Sequence, residues 1–303
     1  MAGELITRDA QVQWAGQLWG DGTLWSVSSM PGWNDLPGLD SGSVPRAQQH
    51  GDWLGRLLAQ GRSISLSMTL TGWPEDFPAA LLALEAATPI EQAEQPLVVQ
   101  GAGRRLLVNG RITHRVTPFD TAFNLGTPSV TLMWECSDPR RYGLTALSVA
   151  TGLPQSGSGL DWGDTSTPKG LDWHDGESPP GLDWGADGSS GDLTLTNAGT
   201  APTHPVLEFR GPVVMPSVTL QETGQVLEYD LPLAASDVLT VDTAAGTVTL
   251  ASGASRLYTV TARSSPEEAF VLPPGTSTLS FRAAPGSTDP AASMTVRYRP
   301  AYW

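Results

Sequence analysis

Between Thr151 and Asp192 the alternation of apolar and polar residues that marks the rest of the chain stops, and Gly, Ser, Pro and Asp take over. A stretch of that composition buries too little apolar surface to repay its own ordering, so the chain must build its cores on either side of it. The 303 residues then divide into a module at 1–150, a linker at 151–192 and a module at 193–303. The linker is itself patterned: the tetrapeptide GLDW begins at Gly159, Gly170 and Gly181, a period of eleven residues. Each copy offers one leucine and one tryptophan, too little for a free-standing solenoid. Trp162, Trp173 and Trp184 are therefore expected to dock the linker onto a domain or a neighbouring subunit, since tryptophans exposed this regularly invite aggregation. Contact with glycan is the alternative for the same three side chains.

Both flanking modules read as strands. In Ser63 to Thr71, Ile64, Leu66, Met68 and Leu70 alternate with Ser63, Ser65, Ser67 and Thr69, one face buried and the other wet. Weaker runs fall at Thr23 to Val27, Leu97 to Gln100, Arg105 to Val108, Arg111 to Val116 and Ser129 to Cys136. Asn109-Gly110, between two of these, carries the strongest short hairpin signal in the chain. One helix is expected near 76–87, capped by Asp76, packed through Leu81, Leu82 and Leu84 and stopped by Pro89. The first module should thus be a β-sandwich or barrel with one short helix. The second shows strand runs near Leu193, Val206, Ser217, Val226, Val238, Thr247, Leu257, Ser277 and Met294, with turn residues between them and no helix candidate. A two-sheet sandwich of jelly-roll type is the expectation, and the fold class is all-β.

The charge distribution limits the partners. The net charge is −14, and half of it lies in the linker, where Lys169, the single lysine of the chain, stands against eight acids. Without clustered Lys and Arg there is no footprint for a nucleic-acid backbone. No run is long and apolar enough for a membrane span, and Met1 to Ala10 carries charges where a signal peptide needs an apolar core. Synthesis in the cytoplasm is expected. Cys136, the only cysteine, sits in an apolar run and reads as a buried hydrophobe.

Catalytic chemistry finds no foothold in these residues. The four histidines, His50, His114, His174 and His204, have neither the i, i+4 spacing nor the cysteine partners of a zinc site. No nucleophile elbow, P-loop or dinucleotide fingerprint is present. Asp161 with Asp164, Asp172 with Asp175 and Glu177, and Asp183 with Asp187 gather hard oxygen ligands, yet none has the spacing of an EF-hand loop. Keeping a tryptophan-bearing linker soluble explains those acids with fewer assumptions. No enzyme activity, cofactor or metal is expected.

Read in order, the motifs resemble the distal tail protein (Dit) family of siphophages, especially those of actinobacterial hosts. The resemblance rests on QLWGDGTLWSVSSMPGWNDLP (Gln17 to Pro37), VPRAQQHGDW (Val44 to Trp53), GRSISLSMTLTG (Gly61 to Gly72) and DPRRYG (Asp138 to Gly143). Beyond the linker it continues through TNAGTAPTHPVLEFRG (Thr196 to Gly211), QETGQVLEYDLPL, LTVDTAAGTVTL and LPPGTSTLSF. It implies an N-terminal module that forms a hexameric ring at the tail tip of a virion, and a C-terminal galectin-like sandwich that projects outward. The partners it implies are further copies of the chain, the tail tube protein, the tape-measure protein, the tail hub protein and receptor-binding proteins. A ring needs heterologous, closing interfaces. The stretch Arg46 to Arg62 between strands, with Arg46, His50 and Arg62, is the expected interaction loop, joined by Trp162, Trp173 and Trp184. A carbohydrate-binding minor tail protein that contacts the host envelope is the alternative function.

Overall fold

The computed structural model of the protein describes residues 2–156 and 188–303. The GLDW repeats, with Trp162, Trp173 and Trp184, lie outside the described residues. Strands dominate what is described, with one helix of 11 residues and one of 4, so the fold is mainly β. The chain divides into two units, Met1–Thr145 with Pro300–Trp303, and Ala146–Arg299. The expected boundary at 150 therefore moves. Leu147–Gly152 pairs along its whole length with Ser293–Tyr298 and belongs to the second unit. Ala301–Tyr302 pairs with Arg141–Gly143 and belongs to the first.

In the first unit the sheet runs Gln17–Gly20, Gln11–Trp14, Gln95–Gly101, Arg104–Val116, Ser129–Cys136, Arg62–Leu70, Trp25–Ser29. Arg104–Val116 serves two partners: Arg104 to Gly110 pairs with Gln95–Gly101, and Arg111 to Val116 pairs with Ser129–Cys136. This corrects the hairpin expected at Asn109-Gly110, because those residues lie inside one continuous strand. The turn is at Ala102-Gly103, both at positive φ (51° and 71°), the backbone a two-residue hairpin demands. Gly110 is needed for close approach: a Cβ there would stand 2.6 Å from Cys136 Sγ.

The core of this unit is rich in tryptophan. Trp14 and Trp19 lie 5.6 and 6.5 Å from Trp134, measured between ring centroids, over Ile64, Leu66, Met68 and Leu132. The alternating strand read from sequence supplies Ile64, Leu66 and Met68 as expected, its apolar face inward and its serines outward. Gln11–Trp14 gave no such signal because Gln11 and Gln13 are buried too. Gln11 Oε1 accepts from Thr7 N and its Nε2 donates to the Asp21 carbonyl, while Gln13 Oε1 accepts from Leu5 N, so both buried side chains bond to backbone groups.

The expected helix is Phe77–Ala87, but its ends and faces differ in detail. Asp76 makes no side-chain cap; its carboxylate accepts from Trp73 N in a preceding 3-10 turn. Leu84, Ala80 and Ala87 pack inward, whereas Leu82 faces solvent. Thr88 closes the last turn, donating to the Leu84 carbonyl at 2.8 Å just before Pro89.

The second unit is built from two antiparallel sheets. One orders Leu147–Gly152, Ser293–Tyr298, Val206–Arg210, Val238–Asp242 and Thr247–Leu250, and the other Asp192–Asn197, Gly275–Arg282, Ser217–Leu220 and Gln225–Glu228. Both contribute to one core that includes Leu195, Leu207, Phe209, Leu239, Phe281 and Val296. Tyr298 joins the sheets, its hydroxyl donating to the Thr196 carbonyl at 3.0 Å and accepting from Thr196 N at 3.2 Å. The strand expected at Leu257 to Ala262 is instead a 3-10 turn over Leu257–Thr259. Leu257 and Tyr258 both face solvent, so the alternation has no sheet to serve; the isolated bridge Tyr229↔Val260 and a hydrogen bond from Thr261 Oγ1 to Glu228 Oε1 tie the segment to its neighbours.

Candidate functional site

The stretch read from sequence as a loop is a two-stranded arm on the first unit. Leu39–Asp40 pairs with Leu58–Ala59, and Val44–Pro45 with Asp52–Trp53. Its tip closes through Arg46 N donating to the Gly51 carbonyl at 3.1 Å, with Gly51 at φ +92°. Between the two short ladders the strands come so close that a Cβ on Gly55 would lie 2.4 Å from the Gly42 oxygen, so only glycine fits.

The arm lacks a core of its own. Leu36, Leu39, Val44, Trp53, Leu54, Leu57 and Leu58 are all exposed, Leu54 at 90%. Isolated two-stranded hairpins are marginal in water. Covering seven such side chains would contribute on the order of 1 kcal/mol each, enough to decide whether the arm holds a partner. Arg46 lies over the Trp53 ring, 4.5 Å from its centroid, which stiffens the tip without hiding it. His50 is exposed in the same turn.

Arg62 has a different place. It is 2% exposed, and its guanidinium donates to the carbonyls of Gly32, Asp35 and Pro139 at 2.6 to 2.7 Å. It pins the base of the arm and is not available at its surface. The sequence reading missed Trp53, Leu54 and Leu57. Their signal was present as large apolar residues in a glycine-rich stretch that offers nothing to bury them.

A second apolar patch lies elsewhere in the same unit. Phe123 packs edge-on against Phe77 at 4.9 Å and tilted against Phe119, also at 4.9 Å. Around them Trp73, Leu82, Phe119 and Leu125 are exposed, Phe119 at 80%. Scattered apolar residues are ordinary on a surface, whereas the run of exposed leucines and a tryptophan along the arm is a candidate interaction surface.

The DPRRYG segment works within the fold. Burial alone would raise the Asp138 carboxyl, but hydrogen bonds from Arg140 Nε at 2.8 Å and Tyr142 OH at 2.5 Å outweigh it and hold the group below its ordinary range. Tyr142 meanwhile pairs with Leu107 on one side and Ala301 on the other, so the motif joins the last strand to the sheet. Cys136 is fully buried, and that burial, with Glu94 nearby, pushes its thiol up to about 12. It stays protonated at neutral pH and is no nucleophile. Among the described residues no His, Cys, Asp and Glu cluster has the geometry to hold a metal ion, and no helix is long and apolar enough to cross a membrane.

Residues 198–302 match the family model described as siphovirus-type tail component, C-terminal domain. A comparison with curated proteins finds no match. Among solved structures, SPP1 Dit, described as a paradigm of the hub adsorption apparatus in Gram-positive infecting phages, is similar at a TM-score of 0.61. The match has 14% identity and covers 95% of this chain and 97% of that one. A chain of the phage P2 baseplate in its activated conformation with Ca matches at 10% identity and a TM-score of 0.48, over 95% of this chain and 97% of its own. Residues 198–302 thus match the C-terminal domain of siphovirus-type tail components, and the chain shares the fold of SPP1 Dit along almost its whole length.

Proposed function

We propose that the protein is a structural part of a siphophage tail tip, a distal tail adaptor that closes with copies of itself into a six-membered ring and joins the tail tube to the tail hub. The family match supports the tail assignment. The observation that carries the ring is the uncovered apolar arm of the first unit. A closed ring is made of heterologous contacts, in which one surface of each subunit meets a different surface of the next. A projecting ladder with leucines and a tryptophan on it supplies the first kind of surface, and the Phe119 to Phe123 patch supplies an apolar surface of a second kind. The function is mechanical, performed through interfaces, and asks for no catalytic group, cofactor or nucleic-acid contact. Receptor-binding and tape-measure proteins are the further partners of such an adaptor.

Native mass measurement of the full chain, alone and with tail-tube protein, tests this reading. Six copies of the 32.0 kDa chain in one closed species are expected. A monomer under every condition, with the tail protein present, contradicts it.

A further inference from the structure

Two sheets make up the second unit, so four strands stand at its edges, and the chain itself engages three of them. Along Thr247–Leu250, Arg256 N donates to the Val248 carbonyl at 2.8 Å and Leu250 N to the Ala254 carbonyl at 3.0 Å. Along Gln225–Glu228, Thr261 N donates to the Glu228 carbonyl at 3.1 Å and Ser265 N to the Val226 carbonyl at 2.7 Å. Asp192–Asn197 begins on a charge, and the Tyr298 hydroxyl takes both the N–H and the carbonyl of Thr196. The fourth edge, Leu147–Gly152, pairs with Ser293–Tyr298 on one side only. Which of its backbone groups face outward follows from the ladder. Gly211 N donates to the Asp237 carbonyl, so Phe209 and Leu207 bond to Val238–Asp242 and Glu208 turns to Thr295. Met294, Val296 and Tyr298 then turn to Thr151, Val149 and Leu147, which leaves Ser148 and Ala150 pointing away from the sheet. Both are exposed, and among the described residues none of their backbone groups has a partner. The strand carries no charge, no proline and no bulge, the devices that blunt a free edge.

A free edge takes one kind of ligand, an extended strand. Val149 packs against the core while Ser148 and Ala150 face water, so a strand added beside them needs side chains that alternate in the same way and carry no charge. Leu147–Gly152 meets that requirement itself. We propose that this edge pairs antiparallel with the same strand of a second copy of the chain, across a two-fold axis. Beyond Gly152 the edge is closed by the bridge between Gln155 and Ser189, whose N–H groups donate to each other's carbonyls at 2.8 and 3.0 Å. The open stretch is thus Leu147 to Thr151, and its midpoint, Val149, lies on the axis. Ser148 of each copy then exchanges both backbone hydrogen bonds with Ala150 of the other. Leu147 lies opposite Thr151, which covers its exposed side chain. A chain of net charge −14 makes this contact without setting like charges opposite each other. A ladder this short is a small interface, so a dissociation constant on the order of 100 µM is expected. The contact belongs to the second unit and does not depend on the ring.

The test uses the full chain with Leu54→Asp and Leu57→Asp, which changes the arm and leaves the edge intact. Sedimentation velocity from about 10 to about 500 µM should show the mass doubling with concentration, whatever species the arm changes leave. Adding Ser148→Lys, at an exposed position, should raise the dissociation constant of that doubling at least about tenfold, with melting unchanged. Ala150→Pro, which deletes an N–H that bonds nothing in the fold, should do the same. Val149→Cys should form a disulfide between copies faster than Leu147→Cys or Thr151→Cys, because position 149 alone meets itself; Cys136 is buried and does not compete. A mass that never doubles, a doubling that neither Ser148→Lys nor Ala150→Pro weakens, or equal disulfide yields at the three positions overturns the proposal. So does loss of tail-tube protein binding on Ser148→Lys in a chain whose mass never doubles, which assigns the edge to a strand of that protein.

Discussion

The two units of this chain are both antiparallel β structures, yet they treat their apolar residues differently. Among the described residues, sixteen exposed large apolar side chains belong to the first unit and four to the second. The second unit puts Phe209, Tyr229, Phe270 and Phe281 at no measurable exposure and leaves Tyr258, Val214, Leu257 and Leu147 outside. The first builds a core around Trp134 as well and then adds an arm and aromatic residues that nothing within the unit covers. Apolar surface of that extent is what an interface would cover. The second unit covers its own apolar residues, and on the proposed function the first is completed by partners.

Four variants probe that contrast, and the largest effect belongs to the cores. Phe281→Ala should cost about 3–5 kcal/mol in denaturant melts of the second unit while leaving self-association of the first intact. A loss of association of the same size would mean that the units are not independent in this sense. Next comes the arm: Leu54→Asp with Leu57→Asp should raise the dissociation constant for self-association by about two orders of magnitude, read by sedimentation, with melting unchanged within about 0.5 kcal/mol. Unchanged association would remove the arm from the interface.

How far the sequence revealed this contrast depended on whether side-chain alternation was present. Arg62–Leu70 and Val238–Asp242 show their faces in their residues because one side is wet and the other buried. Gln11–Trp14 hides because all four of its residues are buried, with its glutamines hydrogen-bonded to backbone groups. Asn109-Gly110 misled because the dipeptide that suits a turn equally suits a strand squeezed past Cys136. The stretch Arg46 to Arg62, read as a loop, overlaps only part of an arm that begins at Leu39 and returns to Ala59, since ladders of two residues carry no period. Within it, Arg46 and His50 lie on the exposed tip, but Arg62 serves the fold. The leucines that dominate its surface were visible, and only their exposure was not.

A smaller effect is expected at the motif that joins the last strand to the first unit. Asp138→Asn should cost about 1–2 kcal/mol near neutral pH, because charge-assisted hydrogen bonds from Arg140 and Tyr142 are weakened. The folded carboxyl lies below its unfolded value, so this contribution is complete above the unfolded value and fades as pH falls through the folded one. Wild type and variant should therefore converge in acid melts, and a gap that persisted at low pH would assign the effect to packing. The smallest change is at Tyr258, 78% exposed on the second unit. Tyr258→Ala should shift stability by less than about 0.5 kcal/mol and leave association unchanged.

The claim that the arm is completed by another copy is tested most directly by placing a photo-crosslinking residue at Leu54 and sequencing the products by mass spectrometry. Mixing isotopically light and heavy chains separates links within a chain from links between chains. Links from position 54 to the first unit of a different chain are expected, at the full yield of the assembled species. Links confined to the same chain, or a yield that is the same in dilute monomer, would contradict the account.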